Sequence, residues 1–388
     1  MASIFIFEPK TEGHHLVYLR LCYEALSDCF DQVTICTDFT VDQTITEFSP
    51  FVKKDVVRLC TAGLTKKEAN AFALHHSKGF DYLFIPYLDD MLRRLAIHSV
   101  KADPRTMPKV GGIIMGIKDK RWIKRKLLTK QFLALLKWIV ARLLLRVFFS
   151  PKYSAPIILN QDSGMEYMKR MLPQMSDSCS IAYDPWIIRP DQSSDFVRSR
   201  YSIPQDKFVF IHIGTSGERK GFDDLLAAFE RLKKSGYNES LFLLRVGNNQ
   251  KFTSETKNRL NRLVQTGNAC VVSGFIASNE FSNLIASADC VVLPYRYHAG
   301  SSGVLSAAIG AKVGVVASDY GFIGRAVRSW KCGILYKHNS VDGLVRAMRF
   351  FYEQECDFLV SDELHQSLSP SEFKRKISKA YVRELQSV

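Results

Sequence analysis

Two glycine-rich segments of this chain carry the residue types that bind phosphate. GTSGERKG spans Gly214 to Gly221, and SSGV spans Ser301 to Val304. Each segment follows a short apolar run that is typical of a buried strand and precedes residues with helical periodicity. N–H groups at a helix N-terminus and the positive charge of Lys220 act in the same direction, because the helix dipole favours an anion there. The two segments therefore predict a site for a diphosphate.

A third turn of small residues supports the same prediction. It runs from Ser318 to Gly321 after the next predicted strand, and three such turns at one edge of a sheet would form an anion cradle. For the first segment alone, the alternative is a glycine turn with a solvated lysine. The glycine spacing around Lys220 differs from GxxxxGK[ST], which excludes a P-loop ATPase.

The elements that would position these turns recur along the whole chain of 388 residues. Short apolar runs alternate with helical patterns, which predicts an α/β fold of parallel strands and crossover helices. The length favours two domains. We predict two Rossmann-like domains, residues 1–186 and 208–369, with parallel sheets facing a central cleft and a proline-punctuated linker at 187–207. The amphipathic helix of 370–388 is expected to pack back on the first domain or to stay with the second.

The strands are predicted from the apolar runs. In the first half they are Ser3–Phe7, Gln32–Cys36, Tyr82–Pro86, Gly112–Gly116 and Ala155–Asn160. In the second half they are Phe208–Gly214, Ser240–Val246, Ala269–Val272, Cys290–Pro294, Val313–Ala317 and Gly333–Tyr336.

The order of these motifs resembles the C-terminal half of retaining GT-B glycosyltransferases of the large bacterial group called family 4. The resemblance covers about residues 205–350 and includes GFI from Gly274, the ADCVVLP strand, SSGVLSAA and VVASDYGFIGRAV. It implies an enzyme that moves a hexose from a nucleotide-sugar to a glycan or lipid-linked acceptor with retention, in bacterial-type surface polysaccharide or glycolipid synthesis. It implies no metal and no other cofactor, because positive side chains and helix dipoles assist the departing nucleotide.

The resemblance also implies roles for residues of the donor site. Lys220 would neutralise the diphosphate, and the N–H groups of Gly303 and Val304 would contact it. Phe275 and Ile276 would lie beside the nucleobase. The other donor-site residues implied by the motifs are Gly214, Thr215, Arg219, Ser301 and Ser302.

The chain departs from the family pattern at charged positions. The arginine that commonly follows the strand glycine is Thr215 here, so Arg219 is a candidate for the missing charge. Two glutamates that many members place eight residues apart would fall at Ala299 and Ala307, so their contacts come from the serines of SSGV or are missing. A sub-branch with an SSGVL core also lacks the pair. The alternative to an enzyme is a non-catalytic GT-B nucleotide-binding or scaffold protein.

Two histidines stand at the start of the first predicted helix, in TEGHHLVYLR. The resemblance makes this loop part of the donor or acceptor site, so His14 and His15 are candidate catalytic residues. The alternative for a histidine at a helix start is a cap or a packed side chain. Asp89 and Asp90, in PYLDD, are expected either to orient an acceptor hydroxyl or to cap the following helix.

The net charge of +14 is concentrated between Lys118 and Arg146, where ten basic residues accompany Asp119 alone, a net of +9. The apolar run in this segment is interrupted by charges, which disfavours a membrane span. We predict instead a peripheral contact with an anionic membrane surface, and the alternative is a crossover helix buried against the sheet. The basic excess is local and lacks a nucleic-acid-binding motif, so nucleic acid is not an expected partner.

The first residues lack the basic start and long apolar run of a secretory signal. The nine cysteines include no CxxC pair and no cysteine–histidine cluster at metal-ligand spacing. These features predict a cytoplasmic protein with reduced thiols.

Overall fold

The computed structural model describes residues 1–12, 15–101, 103–115, 143–161, 165–166, 168–169, 178–187, 190–237, 239–274, 276–298, 300–354 and 360–387. The chain forms two compact units, Met1–Tyr183 with Pro370–Val388, and Asp184–Ser369. Among the described residues each unit contains one sheet, and the strand pairings in both sheets are parallel. The predicted α/β fold with two parallel sheets is confirmed.

The sheet of the first unit has the strand order β3-β2-β1-β4-β5-β6-β7. Its strands are β1 Ser3–Phe7, β2 Gln32–Thr37, β3 Val57–Cys60, β4 Tyr82–Ile85, β5 Lys109–Ile114, β6 Ser154–Leu159 and β7 Cys179–Ile181. The helices described in this unit are His15–Leu26, Asp42–Glu47, Lys66–His76, Leu92–Lys101 and Pro370–Gln386, with 3-10 turns at Ser49–Phe51, Leu88–Asp90 and Pro104–Thr106. All residues of β1, β4 and β6 are buried, as a parallel sheet covered on both faces requires.

Two strands of this sheet lie outside the predicted set. Most residues of β3 are exposed, so that strand has no apolar run, and β7 is only three residues long. The predicted strand Gly112–Gly116 lies earlier, at Lys109–Ile114. Its glycines permit a close approach, because a Cβ atom at Gly111 would lie 1.9 Å from the Tyr381 hydroxyl oxygen.

The C-terminal helix Pro370–Gln386 packs on the first unit. Tyr381 is fully buried, and its ring lies 5.7–6.0 Å from the rings of Phe30, Tyr82 and Phe84. Lys374 forms an ion pair of 2.7 Å with Glu24. Of the two places expected for this helix, the structure therefore has the first domain.

The sheet of the second unit has the order β10-β9-β8-β11-β12-β13. Its strands are β8 Phe208–Ile213, β9 Leu241–Val246, β10 Ala269–Val272, β11 Cys290–Leu293, β12 Val315–Ser318 and β13 Gly333–Tyr336. The helices described in this unit are Ser194–Arg200, Phe222–Leu232, Ser254–Gln265, Ser278–Ala286, Gly303–Gly310, Gly321–Trp330, Val341–Glu353 and Asp362–Ser367, with a 3-10 turn at Glu218–Lys220. Each of the six strands predicted in this half is present, with ends shifted by at most two residues.

The segment 187–207, predicted as a linker, is instead part of the second unit, which begins at Asp184. Arg198 is buried and donates hydrogen bonds to the Ser287 carbonyl and the Asp289 carboxylate, both at 2.8 Å. The same carboxylate accepts the N–H of Val209, in β8, at 2.6 Å. The prolines therefore punctuate a packed segment, because a buried arginine anchors it to the sheet.

Candidate functional site

The three turns rich in glycine and serine follow neighbouring strands of the second sheet. β8, β11 and β12 are adjacent and parallel, so their carboxyl ends lie at one edge. The turns that begin after Ile213, Leu293 and Ser318 consequently lie side by side. The fold thus brings together the segments from which a diphosphate site was predicted.

Lys220 ends the 3-10 turn of the first segment, and its ammonium group is held in place. Its Nζ donates a hydrogen bond of 2.7 Å to the hydroxyl of Tyr295 and lies 3.9 Å from the centre of that ring. Tyr295, which is 2% exposed, in turn places its hydroxyl 3.4 Å from the Ser302 hydroxyl. Tyr295 therefore connects the lysine of the first segment to the serine that precedes the helix of the second.

Gly221 allows the first segment to meet the end of β11. Its φ is +66°, and a Cβ atom there would lie 1.8 Å from the carbonyl oxygen of Pro294. Only glycine adopts this φ without strain and leaves room for the carbonyl oxygen. In addition, the backbone N–H of Arg296 donates to the Arg219 carbonyl at 2.8 Å, which fixes the turn beside the strand end.

The helix Gly303–Gly310 begins without a side-chain cap. The cap position is Ser302, whose hydroxyl forms no capping bond, and the first backbone hydrogen bond of the helix runs from the Ser306 N–H to the Ser302 carbonyl. The N–H groups of Gly303 and Val304 come before that bond, where a helix has no acceptor for them. Such N–H groups, with the helix dipole behind them, attract an anion.

His298 links Arg219 to the second segment and was missed in the sequence. Its Nε2 lies 2.8 Å from the Ser301 carbonyl oxygen, so Nε2 carries the proton, and Nδ1 accepts from the Arg219 guanidinium at 2.5 Å. Burial, and then the charges of Arg219 and Lys220, lower the pKa of His298 to about 4. The imidazole is therefore neutral at pH 7, and the positive charge of this side of the site belongs to Arg219 and Lys220.

The third turn is hydrogen-bonded to the backbone at the start of the second turn. Ser318 donates its hydroxyl to the Tyr295 carbonyl at 2.9 Å, and the Asp319 carboxylate accepts the backbone N–H of His338 at 2.8 Å. The helix Gly321–Trp330 also begins without a side-chain cap bond, at Tyr320.

Other residues predicted for the donor site have these places. Thr215 is exposed, and Gly214 has a φ of +154° with the Lys220 side chain against it. Ile276 is half-buried just before the helix Ser278–Ala286. Ala307 lies in the helix Gly303–Gly310. Phe275 and Ala299 lie outside the described residues.

In the first unit, His15 is the first residue of the helix His15–Leu26. Its Nδ1 lies 3.2 Å from a carboxylate oxygen of Glu8, and its ring centre lies 3.9 Å from that of Tyr87. Glu8 is 1% exposed and directly follows β1. The structure thus pairs His15 with a buried carboxylate at the carboxyl end of the first sheet. His14 lies outside the described residues.

Asp89 and Asp90 make contacts away from the helix that follows them. A carboxylate oxygen of Asp89 accepts the Met115 N–H at 2.6 Å. Asp90 lies 2.5 Å from the ammonium group of Lys10 and 3.3 Å from that of Lys66. Burial raises the pKa of Asp90, but the hydrogen bonds and charges of Lys10 and Lys66 together outweigh it, so the net shift is downward and the carboxyl stays ionised.

The basic segment Lys118–Arg146 lies outside the described residues up to 142, so its predicted membrane contact stays a prediction. Within the part of the chain that the structure describes, no helix is both long enough and apolar enough to cross a membrane. The described ranges also contain no group of three or more His, Cys, Asp and Glu side chains arranged to hold a metal ion.

Comparison with known proteins finds a family whose model matches most of the second unit. Residues 193–373, just under half of the chain, match the family model described as glycosyl transferases group 1, and this region contains all three turns. The chain is also 25% identical over 199 residues to the putative teichuronic acid biosynthesis glycosyltransferase TuaC of Bacillus subtilis. That match spans 51% of this chain and 47% of TuaC, so about half of each protein is compared.

Solved structures are similar over the entire chain. Sucrose-phosphate synthase from Thermosynechococcus elongatus is 15% identical with a TM-score of 0.67, over 100% of both chains. Anabaena HepE in complex with UDP-glucose is 13% identical with a TM-score of 0.69, again over 100% of both. At these identities the likeness shows the fold alone, and it confirms the predicted GT-B fold. The family match adds, for the second unit, a sequence similarity to glycosyl transferases group 1.

Proposed function

We propose that the protein is a retaining glycosyltransferase that moves a hexose from a nucleotide-sugar to a glycan or lipid-linked acceptor, in surface polysaccharide or glycolipid synthesis. The observation that carries the proposal is Lys220, which Tyr295 holds beside the uncapped helix Gly303–Gly310. A fixed ammonium group and a helix N-terminus suit the two phosphates of such a donor. The name of TuaC, a putative teichuronic acid biosynthesis glycosyltransferase, and the UDP-glucose in the HepE complex agree with this substrate class.

The proposed reaction breaks the bond between the sugar C1 and the diphosphate oxygen. A new bond forms between C1 and the acceptor oxygen on the same face of the sugar, and the departing diphosphate oxygen accepts the acceptor's proton. Lys220 and the N–H groups of Gly303 and Val304 stabilise the charge that develops on the diphosphate. This scheme requires no metal, so transfer should persist in EDTA.

We assign the nucleobase to the loop of Phe275 and Ile276, and the sugar to the SSGV turn. The acceptor is assigned to the first unit, where His15 and Asp90 are held by Glu8 and Lys10. His15 would orient a hydroxyl group rather than remove its proton, since the leaving diphosphate performs that step.

The test begins with the ligand. Thermal unfolding is measured with UDP, GDP, ADP and their hexose conjugates, because a ligand of the native state raises its stability. Transfer or hydrolysis of the stabilising donor is then compared between the wild type, Lys220→Ala and the control Lys257→Ala, whose lysine is exposed on the helix Ser254–Gln265. A large loss with Lys220→Ala alone is expected. Equal activity in all three proteins would refute the proposed role of Lys220.

The second candidate function is a non-catalytic nucleotide-binding protein. Ala307 favours it, because this helix position carries no carboxylate to contact the sugar. In that case the nucleotide would stabilise the protein, whereas the nucleotide-sugar would remain intact with any lipid or glycan acceptor supplied. Turnover that depends on Lys220 would decide against it.

We also propose that the protein works at the cytoplasmic face of a membrane, to which Lys118–Arg146 binds. Retention on anionic vesicles, but neither on neutral vesicles nor on DNA at the same salt concentration, is the expected result. The triple variant Lys124→Glu, Arg125→Glu and Lys126→Glu should abolish this retention, and unchanged retention would refute the proposal.

A further inference from the structure

A further positive charge, in addition to those of Arg219 and Lys220, lies beneath the first turn of the donor site. Arg245, in β9, is fully buried and pairs in register with His212 of the neighbouring β8. Its guanidinium donates to the Gly214 carbonyl at 2.8 Å and to the Asn248 carbonyl at 3.3 Å. It also donates to the Val246 carbonyl.

Within the described ranges, every partner of this guanidinium is neutral. No carboxylate forms an ion pair with Arg245, and its buried Nε has no hydrogen-bond partner. The rings of Phe222 and Phe252 lie 5.1 and 5.2 Å from the guanidinium carbon. Burial lowers the pKa of Arg245 to about 10, so the group remains charged at pH 7. A buried charge without a counter-ion is costly to folding, which makes a stabilising role an insufficient reason for this arginine.

Arg245 is connected to the far end of the turn through His212. Burial, and then the Arg245 charge, lower the pKa of His212 well below its ordinary value, so this imidazole is neutral. Its Nδ1 lies 3.2 Å from the guanidinium and accepts from it, which leaves Nε2 to donate to the Lys220 carbonyl at 3.2 Å. Arg245 therefore binds the start of the turn at Gly214 directly and its end at Lys220 through one residue.

These bonds also orient the turn. A trans peptide unit is planar, so its N–H and C=O groups point in opposite directions. Because the Gly214 carbonyl points to the buried guanidinium, the N–H of Thr215 points away from it, on the side where Thr215 is exposed.

We propose that Arg245 is a positioning residue of the donor site, and that the diphosphate of the bound ligand is the counter-ion that this buried guanidinium lacks. It holds the turn with the Thr215 N–H outward and adds positive potential below the phosphates, where the Thr215 side chain contributes no charge. The inference rests on the proposed nucleotide-sugar site. The charge of Arg245 is additional to the charges of Arg219 and Lys220, which lie in the first turn.

The test separates the charge from the fold. Arg245→Gln removes the charge and retains a hydrogen-bond donor, whereas Arg245→Lys retains the charge; circular dichroism shows that each variant is folded. Calorimetric titration uses inorganic pyrophosphate, UDP, GDP and ADP, and the nucleoside of whichever nucleotide binds. We expect Arg245→Gln to lower the affinity for the diphosphate by on the order of tenfold and to change the affinity for the nucleoside less than twofold. Arg245→Lys should recover part of the lost affinity.

The outcomes distinguish this inference from the proposed function. Suppose that the wild type binds a nucleoside diphosphate. If Arg245→Gln binds it equally well, or loses affinity for the diphosphate and for the nucleoside to the same extent, the role of Arg245 is refuted and the donor site stands. If the wild type binds pyrophosphate but none of the nucleotides, and Arg245→Gln does not bind pyrophosphate, the nucleotide-sugar function is refuted and the role of Arg245 stands. Binding of no probe by the wild type refutes both.

Discussion

The Nζ atom of Lys220 lies 2.7 Å from the hydroxyl oxygen of Tyr295, so a strand-end tyrosine determines where the charge of the first turn lies. Without this bond a lysine side chain would sample many rotamers, and ordering it on a ligand would cost free energy. The pair therefore pre-organises the site before any ligand arrives.

Tyr295→Phe removes the hydroxyl and keeps the ring against the ammonium group. We expect nucleoside diphosphate affinity to fall about fivefold, which corresponds to the loss of ~1 kcal/mol for one hydrogen bond. Calorimetric titration measures this change. The control Tyr352→Phe changes a tyrosine that packs on Phe208, away from the three turns. An affinity that is equal in the wild type and both variants would show that the hydroxyl does not position Lys220.

Gly221→Ala should disrupt the first turn. The added methyl group would overlap the Pro294 carbonyl oxygen and strain a backbone at φ +66°, at a total cost of about 3 kcal/mol or more in the free energy of unfolding. Gly267→Ala is the matched control, because Gly267 has the same φ and no atom within 4 Å of the added methyl. That variant should lose only about 1 kcal/mol. Urea unfolding gives both values, and equal losses would contradict a specific steric role for Gly221.

The His298 imidazole should make the protein sensitive to acid. Its folded-state pKa of about 4 is below the ordinary value, so between pH 6.5 and pH 4 the unfolded state binds more protons and stability falls as the pH falls. The contribution amounts to about 2 kcal/mol between pH 7 and pH 4.5. His298→Asn should reduce the acid loss by that amount in urea unfolding at the two pH values, whereas His75→Asn should not. An unchanged pH dependence in His298→Asn would contradict the neutral, buried imidazole.

Glu8→Gln should slow transfer to the acceptor and leave donor binding unchanged. The buried carboxylate lies 3.2 Å from Nδ1 of His15, and its loss would remove this contact in the first unit, whereas the three turns belong to the second unit. We expect a rate reduction of about tenfold at saturating donor, with the affinity for the nucleoside diphosphate that binds the wild type changed less than twofold. Steady-state kinetics and titration measure the two quantities separately. A parallel loss in both would place Glu8 in donor binding or in general stability instead.

The second sheet could be predicted because its strands are apolar runs, each bounded on at least one side by glycine, proline or a polar residue. Helical periodicity was also predicted after the SSGV segment, and the helix Gly303–Gly310 begins within it. In contrast, β3 has no apolar run, because three of its four residues are exposed. The packing of the segment 187–207 depends on the bonds of Arg198, which join residues far apart in the chain and leave no local pattern in the sequence.

The same limit applies to the site. The chemistry of Lys220 and of the SSGV turn is readable from local spacing. Tyr295, His298 and Arg245 act through contacts between different strands and turns, so no local pattern identifies them. The sequence offers two signals for these residues: a tyrosine at the end of an apolar run, and an arginine inside one. The arginine is the stronger signal, because a charged residue is unusual in a strand that is predicted to be buried.

The return of the C-terminal helix to the first unit has a consequence for synthesis on the ribosome. Domains generally fold as units as the chain emerges, from the N-terminus onward. Here the first unit lacks Tyr381, the residue that covers Phe30 and Phe84, until the last helix has been made. The second unit, continuous from Asp184 to Ser369, is complete earlier. The half of the protein that is translated first is therefore the half that finishes folding last.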